Sequence, residues 1–371
     1  MRLAWKNLCH DWLRFAVTLT GIAFAVMLMI FEGSLLSGFF RASARVVTAS
    51  EADLWIAARG VPSLEYAAPV PERFRDVAQG VTGVAQVTRV VTGFTAWLKP
   101  NGMTQTVMLV GAEPGIGAAF PLPYLDGSRA LLQESVLVDR SNVALLEVTT
   151  LPQEIEILQR RAKITRVVEG FGSFLGNPYI FTSYDDGLQF IGSRNHDPRF
   201  LVVRCVAGAD VQAVKARLQQ RLPEVDVWTR AEFAARSQNY WLAQTGAGGA
   251  ILLAALLGFI VGLVIVSQTI YATTMENLEE FATLKALGAS RWFVCRVVLA
   301  QALLSGLAGC ALGIAAAGGA VKAAGGAIPW IYTPPWLPPG MIVISALMCG
   351  LASLMSVRKA LGVEPGRVFR A

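Results

Sequence analysis

The stretch richest in side chains able to act on another molecule is Glu276-Asn277-Leu278-Glu279-Glu280-Phe281-Ala282-Thr283-Leu284-Lys285-Ala286-Leu287-Gly288-Ala289-Ser290-Arg291. Leu278, Phe281 and Leu284 or Lys285 recur at helical spacing, acids stand in the first turn where the dipole favours them, and Gly288 is a C-terminal stop. Ser290 is placed to cap the helix that follows. The chemistry on offer is that of a docking surface, charged and apolar together, and not that of bond making. As a bare pattern it fits equally a solvated connector between two helices.

Catalytic constellations are missing elsewhere. No G-x-x-x-x-G-K-[ST] stretch is present to cradle a nucleotide, and Gly115-Ile116-Gly117 lacks the rest of a dinucleotide fingerprint. There is no G-x-S-x-G elbow, no H-E-x-x-H pair and no Asp/Glu/His relay inside the apolar runs. His10 and His196 are too far apart for His-based metal chemistry, and Cys9, Cys205, Cys295, Cys310 and Cys349 stand singly, unlike a zinc site or disulfide framework. The chain is thus expected to be non-catalytic and to bind no metal or cofactor itself; any ATP-driven function needs a partner. Glu32, directly after the first apolar run, is the sole acid near membrane depth. It reads as an interfacial residue at a helix end or, more sharply, as a polar contact at a lateral entrance for an amphipathic substrate. Gly258-x-x-x-Gly262 and Gly309-x-x-x-Gly313 put small residues one turn apart, suited to close helix packing or a dimer contact.

The elements that must position these residues follow from composition. Of 371 residues, 54% are hydrophobic and 16% charged, where a soluble protein carries roughly 25% charged residues. Residues 41–245 hold 21 basic and 20 acidic side chains of the 32 and 26 in the chain. The net charge of +6 therefore belongs mainly to the flanks of the apolar runs. That distribution excludes a nucleic-acid protein, which would carry a basic stripe on a folded domain.

Phe15–Phe31 is an uncharged run of 17 residues, Gly246–Tyr271 one of 26 and Val297–Val321 one of 25. A fourth, Trp336–Val357, is opened by prolines and closed by Arg358-Lys359. A bilayer crossing needs about 20 residues, so we expect an α-helical membrane protein with four transmembrane helices, one plus three, at 15–40, 246–271, 297–321 and 336–357. A large extracytoplasmic α+β domain, 41–245, lies between the first and second; 272–296 and 322–335 are loops and 358–371 a basic tail. The first run also admits a signal-peptide reading, with Ala42-Ser43-Ala44 as cleavage site. Ten Lys and Arg residues, among them Arg2, Lys6, Arg14, Lys285, Arg291, Arg296, Arg358 and Lys359, fall on one side of the four runs, against Lys322 on the other. The positive-inside rule then puts both termini and 272–296 in the cytoplasm.

Within 41–245, strands are expected over Val84–Leu98, Thr104–Val110, Ser135–Val138 and Phe200–Val206, and helices over Pro71–Ala78 and Ala209–Leu222. The strand–helix–strand order from Phe200 to Asp226 suggests a split β-α-β unit. Thr229–Gln244 reads as a stalk helix leading directly into the second span, with Thr229 and Glu232 forming a capping box.

Glu280-Phe281-Ala282-Thr283-Leu284-Lys285-Ala286-Leu287-Gly288 resembles the E-[YF]-A-T-L-K-A-[ML]-G segment of DevC-type permeases, a branch of the FtsX/MacB-like ABC transporter permease family. Ala4-Trp5-Lys6-Asn7-Leu8, Arg14 and Thr20-Gly21-Ile22-Ala23 are similar to that family's amphipathic entry helix, here 1–14, and first span. Glu232-Phe233, Tyr240-Trp241 and Thr245-Gly246 are similar to its stalk, and Arg358-Lys359-Ala360 with Pro365-Gly366-Arg367-Val368-Phe369-Arg370 to its tail.

The resemblance implies a homodimeric permease in a bacterial inner membrane, served by two cytoplasmic ABC ATPase subunits that hold ATP and Mg. It implies a coupling helix over 276–290 with Glu276, Glu279, Glu280, Phe281, Leu284, Lys285 and Gly288 as coupling positions. It also implies a periplasmic membrane-fusion adaptor, an outer-membrane channel, and glycolipid or other amphipathic cargo moved by mechanotransmission. A regulatory protein whose ATPase-driven motion controls an envelope enzyme such as a cell-wall hydrolase is the competing expectation.

Overall fold

The computed structural model describes residues 12–113, 134–193, 195–276 and 290–361. The chain divides into two compact units. One comprises the residues up to Gly38 with Ala250–Gly325 and those from Ile331 on; the other comprises Phe39–Gly249 with Gly326–Trp330.

The first unit is helical. It draws on α1 (Trp12–Ala42), α7 (Gly246–Glu276), α8 (Arg291–Ala324) and α9 (Leu337–Leu361). Among the described residues three segments are long and apolar enough to cross a membrane: Phe15–Ala42, Gly246–Thr269 and Leu299–Ala324. In α9, a helix of 25 residues, the described apolar stretch is Leu337–Leu351, which covers part of the expected fourth span. Pro338 and Pro339 sit in its first turn, where proline is tolerated. Ser290 caps α8, its hydroxyl accepting from the Phe293 amide at 3.2 Å, as its position before an apolar run predicts. Ile22, Ala25, Val26, Met29 and Ile30 of α1 lie in the core of this unit. Cleaving the first run as a signal peptide would remove these core residues.

The second unit is α+β. Its helices are α2 (Arg45–Ala49), α3 (Arg73–Gln79), α4 (Tyr184–Phe190), α5 (Val211–Arg221) and α6 (Arg230–Asn239). Its strands are β1 (Leu54–Ala58), β2 (Val84–Leu98), β3 (Thr104–Ala112), β4 (Ser135–Asp139), β5 (Gln153–Ile157), β6 (Arg160–Val168), β7 (Tyr179–Ser183), β8 (Phe200–Cys205) and β9 (Val225–Thr229). They run in the order β3-β7-β4-β6-β5-β2-β8-β1-β9, and β3 also pairs with β2, so that six strands close into a ring. The long β2 serves both parts: Val84–Val90 pairs with β8, and Val90–Leu98 pairs with β3.

β1 lies antiparallel to β8 on one side and to β9 on the other, so β8 and β9, joined by α5, form the split β-α-β unit expected from the strand–helix–strand order. Side chains alternate across each strand. Leu54 and Ile56 with Leu201 and Val203 face α3 and α5, packing on Phe74, Val214 and Leu218. Trp55 with Phe200 and Val202 faces the other way, onto Phe233 of α6. Inside the ring pack Trp97, Leu109, Val138, Ile157, Ile164 and Ile180.

Candidate functional site

The four glycines singled out by spacing share one neighbour. A Cβ added at Gly258 would lie 2.9 Å from Glu32 Cγ, and one at Gly262 3.1 Å from Met29 Cγ. At Gly309 it would meet Ile22 Cβ at 2.8 Å, and at Gly313 the Ala23 carbonyl and Val26 Cβ, each at 2.7 Å. Both glycine pairs therefore seat α1: Gly313 against the Ala23 backbone and Gly309 against the Ile22 Cβ, where no side chain fits, and Gly258 and Gly262 against the flexible stems of Glu32 and Met29. Sequence spacing did not single out Gly21, which meets Thr269, or Gly306, where a Cβ would come within 2.6 Å of Cys349 Sγ. Isolated glycines carry no periodic signal. Glu32 is half-buried on this seam, its methylene stem against Gly258.

The stalk is built from its cap. Thr229 accepts from the Glu232 amide at 3.2 Å while the Glu232 carboxylate accepts from the Thr229 amide at 2.8 Å, completing the expected capping box. Lys215 Nζ of α5 reaches both Glu232 oxygens, at 2.7 and 2.6 Å. Desolvation pushes the Glu232 carboxyl up, but the hydrogen bonds from Lys215 and from the Thr229 backbone outweigh it and leave the group below the usual carboxylate range. Phe233, fully buried, meets Trp55 at 5.4 Å and Phe200 at 5.5 Å.

Four side chains of α6 tie it to the chain that follows α1. Arg230 donates to the Ser50 carbonyl (2.9 Å), Arg236 to Val61 (2.9 Å), Ser237 to Ser43 (2.7 Å) and Gln238 to Phe40 (2.9 Å).

One expectation is corrected here. The stalk does not run as a single helix into the second span. It ends at Asn239, passes through a π-helical turn over Tyr240–Gln244, and breaks at Thr245, whose backbone is extended (φ −112°, ψ 146°). The Thr245 hydroxyl donates to the Trp241 carbonyl at 2.5 Å, so a side chain competes with helix continuation.

Cys205 is a free, buried thiol, pushed up to about 11 by burial and then by the Asp53 charge, so it stays protonated and unreactive. Of the expected coupling positions, Glu276 closes α7, while Glu279, Glu280, Phe281, Leu284, Lys285 and Gly288 lie outside the described residues. So do Gly115-Ile116-Gly117, most of the entry helix, and the tail from Gly362.

Residues 15–221 match the family described as the MacB-like periplasmic core domain, and residues 251–365 match the FtsX-like permease C-terminal family. The chain belongs to the FtsX/MacB-like permease family. It is therefore a membrane-embedded permease subunit of an ABC transporter, of a family whose members work with a cytoplasmic ABC ATPase. Its large periplasmic α+β domain is the second unit, Phe39–Gly249 with Gly326–Trp330. Among solved structures, the periplasmic region of MacB from Actinobacillus actinomycetemcomitans is similar at 12% identity and a TM-score of 0.37, over 52% of this chain and 94% of that one. The extracellular domain of the noncanonic ABC-type transporter YknZ from Gram-positive bacteria is similar at 12% identity and a TM-score of 0.35, over 48% and 98%. No curated protein matches.

Proposed function

We propose that this permease is the membrane subunit of an ATP-driven exporter of the mechanotransmission type, moving lipid, glycolipid or other amphipathic cargo. In this reading it is DevC-type and homodimeric, sits in a bacterial inner membrane with both termini cytoplasmic, and completes its bundle with α9 as a fourth span. A partner ATPase holds ATP and Mg and pushes on Glu276, Glu279, Glu280, Phe281, Leu284, Lys285 and Gly288. A periplasmic adaptor and an outer-membrane channel carry cargo onward. Glu32 acts as the polar contact at a lateral entrance.

The observation that carries the proposal is the order of the two family matches along the chain, a periplasmic core domain followed by an FtsX-like permease region. The construction of the stalk supports it further. A helix capped at both backbone and side-chain level, with its far end bonded to the chain leaving α1, is suited to passing a displacement and not to making or breaking bonds.

The test is a pull-down of the tagged protein from its native membrane, comparing wild type with Glu280→Lys. We expect an ATPase and an adaptor with wild type and selective loss of the ATPase from the variant, because reversing one charge of a buried interfacial pair leaves its partner unpaired. Recovery of a cell-wall hydrolase in place of an adaptor would favour the regulatory reading. Recovery of no ATPase with wild type would contradict the coupling site.

A further inference from the structure

Glu65 is a buried carboxylate in the loop after β1. Its two oxygens accept from different elements: Oε1 from the Tyr179 hydroxyl of β7 at 2.7 Å, and Oε2 from the Trp241 indole Nε1 at 3.1 Å. Among the described residues no cation pairs with it. A buried charge without a cation is costly unless its lone pairs are well used. Here they are used by two uncharged donors. A glutamine would offer one acceptor and two donors to a site that presents two donors, and a leucine none, so a carboxylate is the side chain of this length that satisfies both. Burial and then the Glu65 charge hold the Tyr179 phenol well above its ordinary value, so it remains an O–H donor.

Trp241 belongs to the π-helical turn at the break in the stalk. Such turns are rare and concentrate at functional positions. Its ring is held by Phe174 (5.0 Å), Tyr240 (5.4 Å) and Tyr66 (5.8 Å), the last next in sequence to Glu65. Its carbonyl is enclosed as well: Thr245 donates to it, and a Cβ added at Gly248 would stand 2.2 Å from it. Both ends of one residue are thus fixed, the indole to the sheet domain through Glu65 and the carbonyl to the first turn of α7.

We propose that Glu65 is a positioning residue that latches the stalk's π-turn to the sheet through Trp241, so that the turn moves with the domain and does not swivel beneath it. The value of this latch to export rests on the mechanical reading above, but the latch itself does not. The loop carrying Glu65 and the sheet strand carrying Tyr179 meet the stalk at this carboxylate, and the aromatic rings around it exclude the water that would otherwise compete for both hydrogen bonds.

Amide hydrogen exchange on the full-length protein in lipid nanodiscs tests it, with Trp241→Phe as the mild variant and Glu65→Leu as the severe one. Trp241→Phe keeps one aromatic ring for Phe174, Tyr240 and Tyr66 to pack on and removes the N–H donor together with part of the indole's bulk. We expect exchange over residues 238–249 to quicken about tenfold in both, the loss of one hydrogen bond to a charged group, with residues 200–229 unchanged. Unchanged exchange over 238–249 in Trp241→Phe would overturn the latch, as would quickening spread through the whole domain in Glu65→Leu and absent from Trp241→Phe. ATP hydrolysis and export, measured on the same variants in complexes isolated with their ATPase, separate the two proposals. Faster local exchange with export still coupled to hydrolysis keeps the latch and counts against the mechanical reading.

Discussion

Each of the two units of this permease is stabilised internally by a different means. The sheet domain is specified by what its side chains add: Trp55, Phe200 and Phe233 interlock, and Glu65, Glu232 and four donors of α6 fix backbone and rings at named distances. The helical unit is specified by what is left out, since Gly309 and Gly313 admit α1 only because they have no side chains, and Gly258 and Gly262 make room for the Glu32 and Met29 stems. The solvent explains the contrast. Water drives large apolar side chains into a core, whereas in lipid the apolar surfaces gain little by meeting and close packing must supply the difference.

Five substitutions sharpen or break that comparison. The largest effect is expected from Phe233→Ala, which empties the centre of the sheet core and should cost about 3–5 kcal/mol, read as a lowered melting temperature of the purified protein. Next is Gly313→Leu, where overpacking against the Ala23 carbonyl and Val26 should cost about 3 kcal/mol and lower the yield of folded protein in detergent. Gly319→Leu, with nothing within 4 Å of its Cβ position, should stay within about 0.5 kcal/mol of wild type. Equal losses at both glycines would break the comparison. Thr229→Ala should cost about 1 kcal/mol through the lost cap, seen as faster exchange in the first turn of α6. The smallest effect concerns pH. The Glu232 carboxyl is depressed in the folded state, so its contribution is present above the ordinary carboxylate range and is lost as pH falls through the lower folded value. Acid melts of Glu232→Gln should therefore fall less steeply than those of wild type below that range.

Much of the frame was legible in the sequence because local chemistry announces it. β2 occupies the run of β-branched residues predicted for it, from Val84 to Leu98. The Thr229–Glu232 box and the Ser290 cap follow from side chains that bond their own neighbours. The glycine spacings flagged a packing seam, but nothing local says that α1 fills it. What depends on distant partners was hidden. The ring closes through β3 pairing with β2 on one side and β7 on the other, a matter of long-range register. Glu65 finds Tyr179 and Trp241 at separations of 114 and 176 residues, and a lone glutamate in a loop gives no sign of either. The break at Thr245 was missed because its hydroxyl competes with a helix that the residues before it favour.

The central claim, that this permease passes motion along its stalk to its periplasmic domain, is tested most directly by deleting Leu242–Thr245 and measuring ATP hydrolysis and export together in the isolated complex. These residues include no member of the sheet core. The account predicts hydrolysis retained and export lost. Export that keeps pace with hydrolysis in the shortened protein would contradict it.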